Sequence, residues 1–125
     1  MKLIDVVMAH IAADEMSSSN WPYDLALAVV KVKKATADEA AFYITRERDL
    51  IMQYAALSEK GNLELTERGT FLFKDSSRAE EYERLRSELA DTEAGDRPPA
   101  IRVKPPVEIK PAWVAALEGF IEFVG

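Results

Sequence analysis

Apolar residues at 3, 4, 7, 8 and 11, with Asp5, Asp14 and Glu15 between them, give Leu3 to Met16 the spacing of an amphipathic helix. Ser17-Ser18-Ser19-Asn20 interrupts it, because four short polar side chains compete for backbone hydrogen bonds and favour turns and caps. Asn20 is placed to cap a second helix, with Pro22 near its first turn, where a missing N–H costs little.

From Tyr23 to about Leu57 there is no glycine or proline. Leu25, Val29, Val32, Tyr43, Leu50, Tyr54 and Leu57 recur at three-, four- and seven-residue steps or their multiples, and the seam turns polar around Thr36, Glu39, Arg46 and Glu47. One helix over 22–58 would be roughly 50 Å long at ~1.5 Å per residue. A compact chain of this size has a radius of gyration near ~14 Å, so either the molecule is elongated or the helix breaks. Thr36-Ala37-Asp38-Glu39 has the residues of a capping box, and Thr45 offers another start. A break at either threonine makes a helix–turn–helix. No residue forbids continuation, so the pattern predicts the long helix and leaves the broken one as its alternative.

Lys60-Gly61-Asn62 closes the helical region, with Gly61 as a left-handed cap. Leu63-Glu64-Leu65 and Phe71-Leu72-Phe73 flank Glu67-Arg68-Gly69, which reads as a β-hairpin over 62–74. Ser77-Arg78-Ala79-Glu80 is a second capping-box pattern, opening a charged surface helix to about Ala90 with Tyr82, Leu85 and Leu89 on one face. Residues 96–110 hold Pro98, Pro99, Pro105 and Pro106, so they should run as an extended strap or pair at an edge. Pro111 opens a last helix over 111–124. No internal repeat is read along the chain. The fold class that results is mainly α: a long helix (or helix–turn–helix) with packed shorter helices, a small β-hairpin and an extended Pro-rich C-terminal strap. Residues 1–125 form one domain, with a helical body over 1–92.

Composition narrows the chemistry. At 125 residues there is room for one core. The absence of cysteine excludes disulfides, thiolate metal sites and cysteine nucleophiles, and a single histidine, His10, excludes an imidazole cluster. A net charge of −6 is a poor balance for gripping phosphate backbones. No stretch reaches the length of a membrane span, and Met1–Ile11 is too short and acidic for a signal peptide, which makes the cytoplasm the default.

His10 and Asp14 are four apart and can share a helix face, but a zinc site needs three or four ligands. Glu80, Glu81 and Glu83 crowd one helix and Asp38/Glu39 another, in patterns typical of solvated faces. Catalytic carboxylates need a cleft that separates their pKa values. The serines show no nucleophile elbow, and the five glycines form neither a phosphate loop nor a dinucleotide fingerprint. The expectation is therefore no enzyme, with no catalytic residue, no cofactor and no metal. At the C-terminus Trp113, Leu117, Phe120 and Val124 make an apolar stripe that Val114, Ile121 and Phe123 widen. It either docks on the chain's own long helix or binds a protein partner, including a second copy in a homo-oligomer.

Leu57-Ser58-Glu59-Lys60-Gly61-Asn62-Leu63-Glu64-Leu65-Thr66-Glu67-Arg68-Gly69 resembles the helix-to-wing passage of winged-helix DNA-binding proteins. That resemblance implies a recognition helix near 46–60 and DNA contacts from Arg46, Arg48, Lys60 and Arg68. Glu47, Asp49, Glu59, Glu64 and Glu67 lie among them, so nucleic acid is not the expected partner.

The order of features over the whole chain is similar to that of small, tailed-phage and prophage accessory proteins. It runs from Met1-Lys2-Leu3-Ile4-Asp5 through Pro22, Lys31-Val32-Lys33-Lys34, Arg46-x-Arg48-x-Leu50 and Tyr54-Ala55. Gly61 and Phe71-Leu72-Phe73-Lys74-Asp75 follow, then Glu81-Tyr82-x-x-Leu85-x-x-x-Leu89, Asp91-Thr92-Glu93 and Ile109-Lys110-Pro111 with Leu117 and Phe120-Ile121-Glu122. The resemblance implies a non-enzymatic protein that binds and modulates a host or phage protein, in the bacterial cytoplasm or the virion. Inhibition of a host defence or regulatory protein is one form of that role. A winged-helix transcriptional regulator is the alternative, and a minor virion or assembly component the second alternative.

Overall fold

The computed structural model describes residues 1–96, 99–106 and 108–124. It is mainly helical. The first helix, α1, spans Leu3–Met16, and the second, α2, spans Tyr23–Tyr54 without interruption. At 32 residues, α2 is about 48 Å long. It passes straight through Thr36 and Thr45, so the helix–turn–helix alternative is absent.

Why the two threonines fail to break the helix is visible at Thr36. Its hydroxyl donates to the carbonyl of Val32 at 2.7 Å, bonding back into the helix instead of capping a new one. Glu39, the acidic member of the pattern, accepts the Gly95 backbone N–H at 3.2 Å and so tethers a distant segment.

The two helices run antiparallel: Val7 lies with Tyr43, His10 meets Thr36, and Asp14 pairs with Lys33 at 2.9 Å. Leu25, Val29, Val32, Thr36, Ala40 and Tyr43 of α2 are buried against α1, where Ala9, Ala12 and Ala13 leave room for close approach. Met16, Leu25 and Leu117 have no exposed surface at all.

α2 ends at Tyr54 rather than near Leu57, because residues 55–57 are drawn into a β junction. Three isolated antiparallel bridges join Ala55 to Phe73, Leu57 to Leu63 and Leu65 to Phe71. The expected hairpin over 62–74 is therefore not a two-stranded ladder, since a single bridge joins its arms. At the centre, three backbone groups close a ring. Ala56 N–H donates to Leu72 O (2.6 Å), Leu72 N–H to Glu64 O (2.8 Å), and Glu64 N–H to Ala56 O (3.1 Å). Each segment bridges to one neighbour on one side of its middle residue and to the other neighbour on the other side.

Two arms of this junction are built alike. Ser58 N–H donates to Asn62 O and Gly61 N–H to Ser58 O; Thr66 N–H donates to Thr70 O and Gly69 N–H to Thr66 O. Gly61 and Gly69 both sit at φ +80°, the backbone such tight reversals demand. Gly61 is thus a turn residue, not a helix cap. Leu57-Ser58-Glu59-Lys60-Gly61-Asn62-Leu63 and Leu65-Thr66-Glu67-Arg68-Gly69-Thr70-Phe71 form a tandem pair offset by one arm, which corrects the reading of no internal repeat.

A 3-10 turn at Ser76–Arg78 leads into α3, Ala79–Asp91. The Asp75 carboxylate accepts both the Ser77 N–H (3.0 Å) and the Ser77 hydroxyl (2.6 Å) and so caps the 3-10 turn, while α3 itself starts after Arg78 with no side-chain cap, which corrects the expected cap at Ser77. Tyr82, the buried residue of α3, packs on Tyr54, Phe71 and Phe73 with ring centroids 5.2–5.8 Å apart. This aromatic cluster fastens the junction to the body.

The chain then returns to the start of α1, where Lys2 bridges Glu93 and Leu3 N–H donates to Thr92 O at 2.7 Å. Strand β1, Ile101–Val103, falls in the expected strap, of which Arg97, Pro98 and Val107 lie outside the described residues. The last helix, α4, spans Pro111–Ala116, and strand β2, Ile121–Phe123, follows it. The expected helix over 111–124 is corrected here: it stops after six residues because Gly119, at φ +89°, reverses the chain. β2 then pairs parallel with β1, Ile101 opposite Ile121 and Val103 opposite Phe123. A parallel pair needs a crossover, and α4 supplies it.

Candidate functional site

The β1–α4–β2 unit is held on the body by its tryptophan. The Trp113 indole N–H donates to Glu15 Oε2 at 2.8 Å, and its ring meets Trp21 edge to face at 5.9 Å. The Lys110 ammonium lies 4.9 Å from the Trp113 ring centroid, a cation–π contact. Leu117, Phe120 and Ile121 enter the main core together with Val6, Leu25, Val29 and Val103.

The residues singled out as a partner stripe therefore point inward. Leu117 is fully buried, Phe120 is buried, and Trp113 and Val124 are half-buried. The face that remains open belongs to their neighbours. Val114, Ile121 and Phe123 with Pro111 line a surface groove of about 730 Å³, flanked by Glu118 and Glu122. Val114 is exposed, and Glu122 makes a long 3.8 Å contact with Arg102 across the parallel pair. An apolar floor with two carboxylates at the rim suits a short segment carrying apolar and cationic side chains.

In the sequence these groove residues looked like extra width on a helical stripe. The signal that finds them is local: Gly119 ends the helix, and Phe120-Ile121-Glu122-Phe123-Val124 is rich in aromatic and β-branched residues with a single charge at its centre.

A second cleft, of about 410 Å³, lies where Glu47 and Ile51 of α2 and Arg86 of α3 face Leu65, Phe71 and Phe73 of the junction. Burial pushes the Tyr43 hydroxyl pKa above its usual value, with the Glu47 carboxylate beside it adding to the shift. Burial does the same for Tyr54, next to Glu81. Both shifts disfavour the phenolate form at these positions.

The residues named for DNA contact fall in two places. Arg46 and Arg48 are exposed on α2 about two turns before its end, Arg46 stacking over Phe42 at 5.5 Å. Lys60 and Arg68 occupy equivalent positions at the exposed tips of the two reversals. His10 uses Nδ1 on Thr36, and Asp14 is engaged by Lys33, whose ammonium holds its carboxylate below the usual range. Among the described residues no group of three or more His, Asp or Glu is placed to hold a metal ion, and no helix is long and apolar enough to cross a membrane.

Comparison with protein-family models, with curated proteins and with solved structures finds no match to this chain.

Proposed function

We propose that this protein is a non-enzymatic binding module whose C-terminal groove takes a short apolar and basic segment of a protein partner. The observation that carries the reading is the groove itself: an apolar floor of Val114, Ile121 and Phe123 with the Glu118 and Glu122 carboxylates at its edge. The net charge of −6 favours the same class of partner through long-range attraction. The outline shared with phage accessory proteins is in keeping with a module that modulates a host or phage protein, inhibition of a basic, nucleic-acid-handling target being one such action.

The test is a pull-down with the tagged full chain from nuclease-treated bacterial lysate, run beside Val114→Glu and the double variant Glu118→Gln/Glu122→Gln. The expected result is a protein retained by the wild type, lost with Val114→Glu, and held more weakly by the double variant at low salt. Capture that ignores all three substitutions, or recovery of nucleic acid alone, overturns the groove as the binding site.

A further inference from the structure

Beyond the groove, α2 carries a second apolar stripe that the fold leaves uncovered. Tyr23, Leu27, Val30, Lys34, Ala37, Ala41, Ile44 and Arg48 follow one another at alternating steps of four and three. Tyr23 is 81% exposed, Leu27 38%, Val30 44% and Ile44 51%. The buried seam of α2 runs through Leu25, Val29, Val32, Thr36 and Tyr43, so this stripe lies on a separate face of the helix, beside the seam that meets α1. A spacing of 3.5 residues sustained over four heptads' worth of positions is the pattern of a helix that meets another helix along its length.

Charge says which helix. Residues 23–37 hold three lysines against one aspartate, a net charge of +2, and residues 38–54 hold four acids against two arginines, a net charge of −2. A helix divided in this way is complementary to itself when reversed.

We propose that two copies of this chain associate through the exposed stripe of α2, antiparallel about a two-fold axis. In the register that matches the pattern, Leu27 packs on Ile44 of the second copy and Val30 on Ala41 of the second copy. The Lys34 stem lies over Ala37 of the second copy, and the Tyr23 ring over Arg48 of the second copy. Lys31 flanks the seam opposite Asp38 of the second copy. Neither Lys31 nor Asp38 is in an ion pair within the chain among the described residues, whereas Lys33 and Glu47 already face Asp14 and Arg86. Two-fold symmetry uses every one of these contacts twice.

The small side chains of Ala37 and Ala41 allow close approach near the axis. Val30 and Ala37 also floor an apolar groove of about 440 Å³, walled by His10 and Ser17 of α1, which gives the second helix a seat. The contact needs nothing from the β1–α4–β2 groove and stands or falls independently of it.

The experiment is analytical ultracentrifugation of the full chain across ~1–200 μM, with far-UV circular dichroism of each variant as a folding control. The wild type should reach a dimer. Leu27→Glu and Ile44→Glu each place a carboxylate in the seam twice, and should raise the dimer dissociation constant at least about 100-fold while the helix content is kept. Lys31→Glu should weaken the dimer about tenfold, and Lys31→Glu/Asp38→Lys should restore it.

The chain has no cysteine, so engineered thiols report orientation directly. Positions 27 and 44 are about 25 Å apart on one helix and cannot join within a chain. Under mild oxidation Leu27→Cys/Ile44→Cys should give a covalent dimer, and either single variant should not. A wild type that stays monomeric to ~200 μM, a dimer that survives Leu27→Glu, or covalent dimers from a single variant would each overturn the proposal.

Discussion

The imidazole of His10 and the hydroxyl of Thr36 meet at 2.9 Å across the α1–α2 interface, and the geometry fixes which one donates. Thr36 has one hydroxyl proton, and its 2.7 Å contact with the Val32 carbonyl uses it. The Thr36 oxygen must then accept from His10, which puts a proton on Nδ1. Thr36 is the buried polar residue of the described core, and this bond lets it be there.

Replacing Thr36 by Val keeps shape and removes the acceptor. We expect a loss of roughly 1–2 kcal/mol in urea unfolding, the usual cost of orphaning a partly buried donor. Nitrogen-15 spectra of the neutral ring should show the Nδ1–H tautomer in the wild type and a mixture in Thr36→Val. Equal tautomer populations in both proteins would contradict the assignment.

The two reversals should respond alike to the same change. A Cβ at Gly61 or Gly69 would touch nothing within 4 Å, so Gly→Ala there costs backbone strain alone, about 1 kcal/mol at each site. The two losses should add, because the arms do not share a turn. Asn at either position should cost less than Ala, since it tolerates positive φ. Urea midpoints of the single and double variants check this, and a large difference between the sites would argue against their equivalence.

Leu117 and Val124 belong to one stripe by sequence and to different environments in the fold. Leu117→Ala empties a site with no exposed surface and should cost about 2–5 kcal/mol, whereas Val124→Ala should cost less than about 1 kcal/mol. Trp113→Ala removes the indole donor to Glu15 and the edge contact with Trp21, so Trp21 fluorescence should lie at longer wavelength than in Trp113→Phe, which keeps a ring there. An unchanged spectrum would place the two rings apart in solution.

Acid should weaken the fold in a defined window. Lys33 lowers the Asp14 pKa, Ser77 lowers that of Asp75, and Arg78 with Tyr54 lowers that of Glu81, from ordinary values of 3.8, 3.8 and 4.5. The unfolded chain therefore binds these protons more tightly than the folded one. Their contribution is present in full above those ordinary values and fades as pH falls through the lowered ones. Thermal unfolding at stepped pH should show a fall in Tm below about pH 5 that is shallower in Asp14→Asn/Asp75→Asn/Glu81→Gln. A triple variant with the wild-type slope would assign the acid sensitivity to other groups.

Several features were legible in the chain itself. The apolar steps of Leu3–Met16 and the glycine- and proline-free run after Pro22 dictate two helices, because 3.6-residue periodicity and backbone permissiveness are local properties. The same run encodes the exposed seam through Leu27, Val30 and Ile44, although a seam becomes visible only once the buried one beside it is known.

What the fold decided depends on residues far apart. Whether Thr36 is satisfied in the buried seam of α2 turns on His10, 26 positions away, whose ring meets its hydroxyl across the helix pair. Whether Ala55–Leu57 stays helical turns on Glu64 and Leu72, whose backbone groups close the ring with Ala56. Whether Phe120–Val124 is helix or strand turns on β1, which pairs with it and draws Leu117 and Phe120 into the core, leaving Val114, Phe123 and two glutamates around the groove. Hydrogen-bond partners supplied from a distance override local preference, because a buried backbone or hydroxyl group left unpaired costs more than any propensity difference of a few tenths of a kcal/mol.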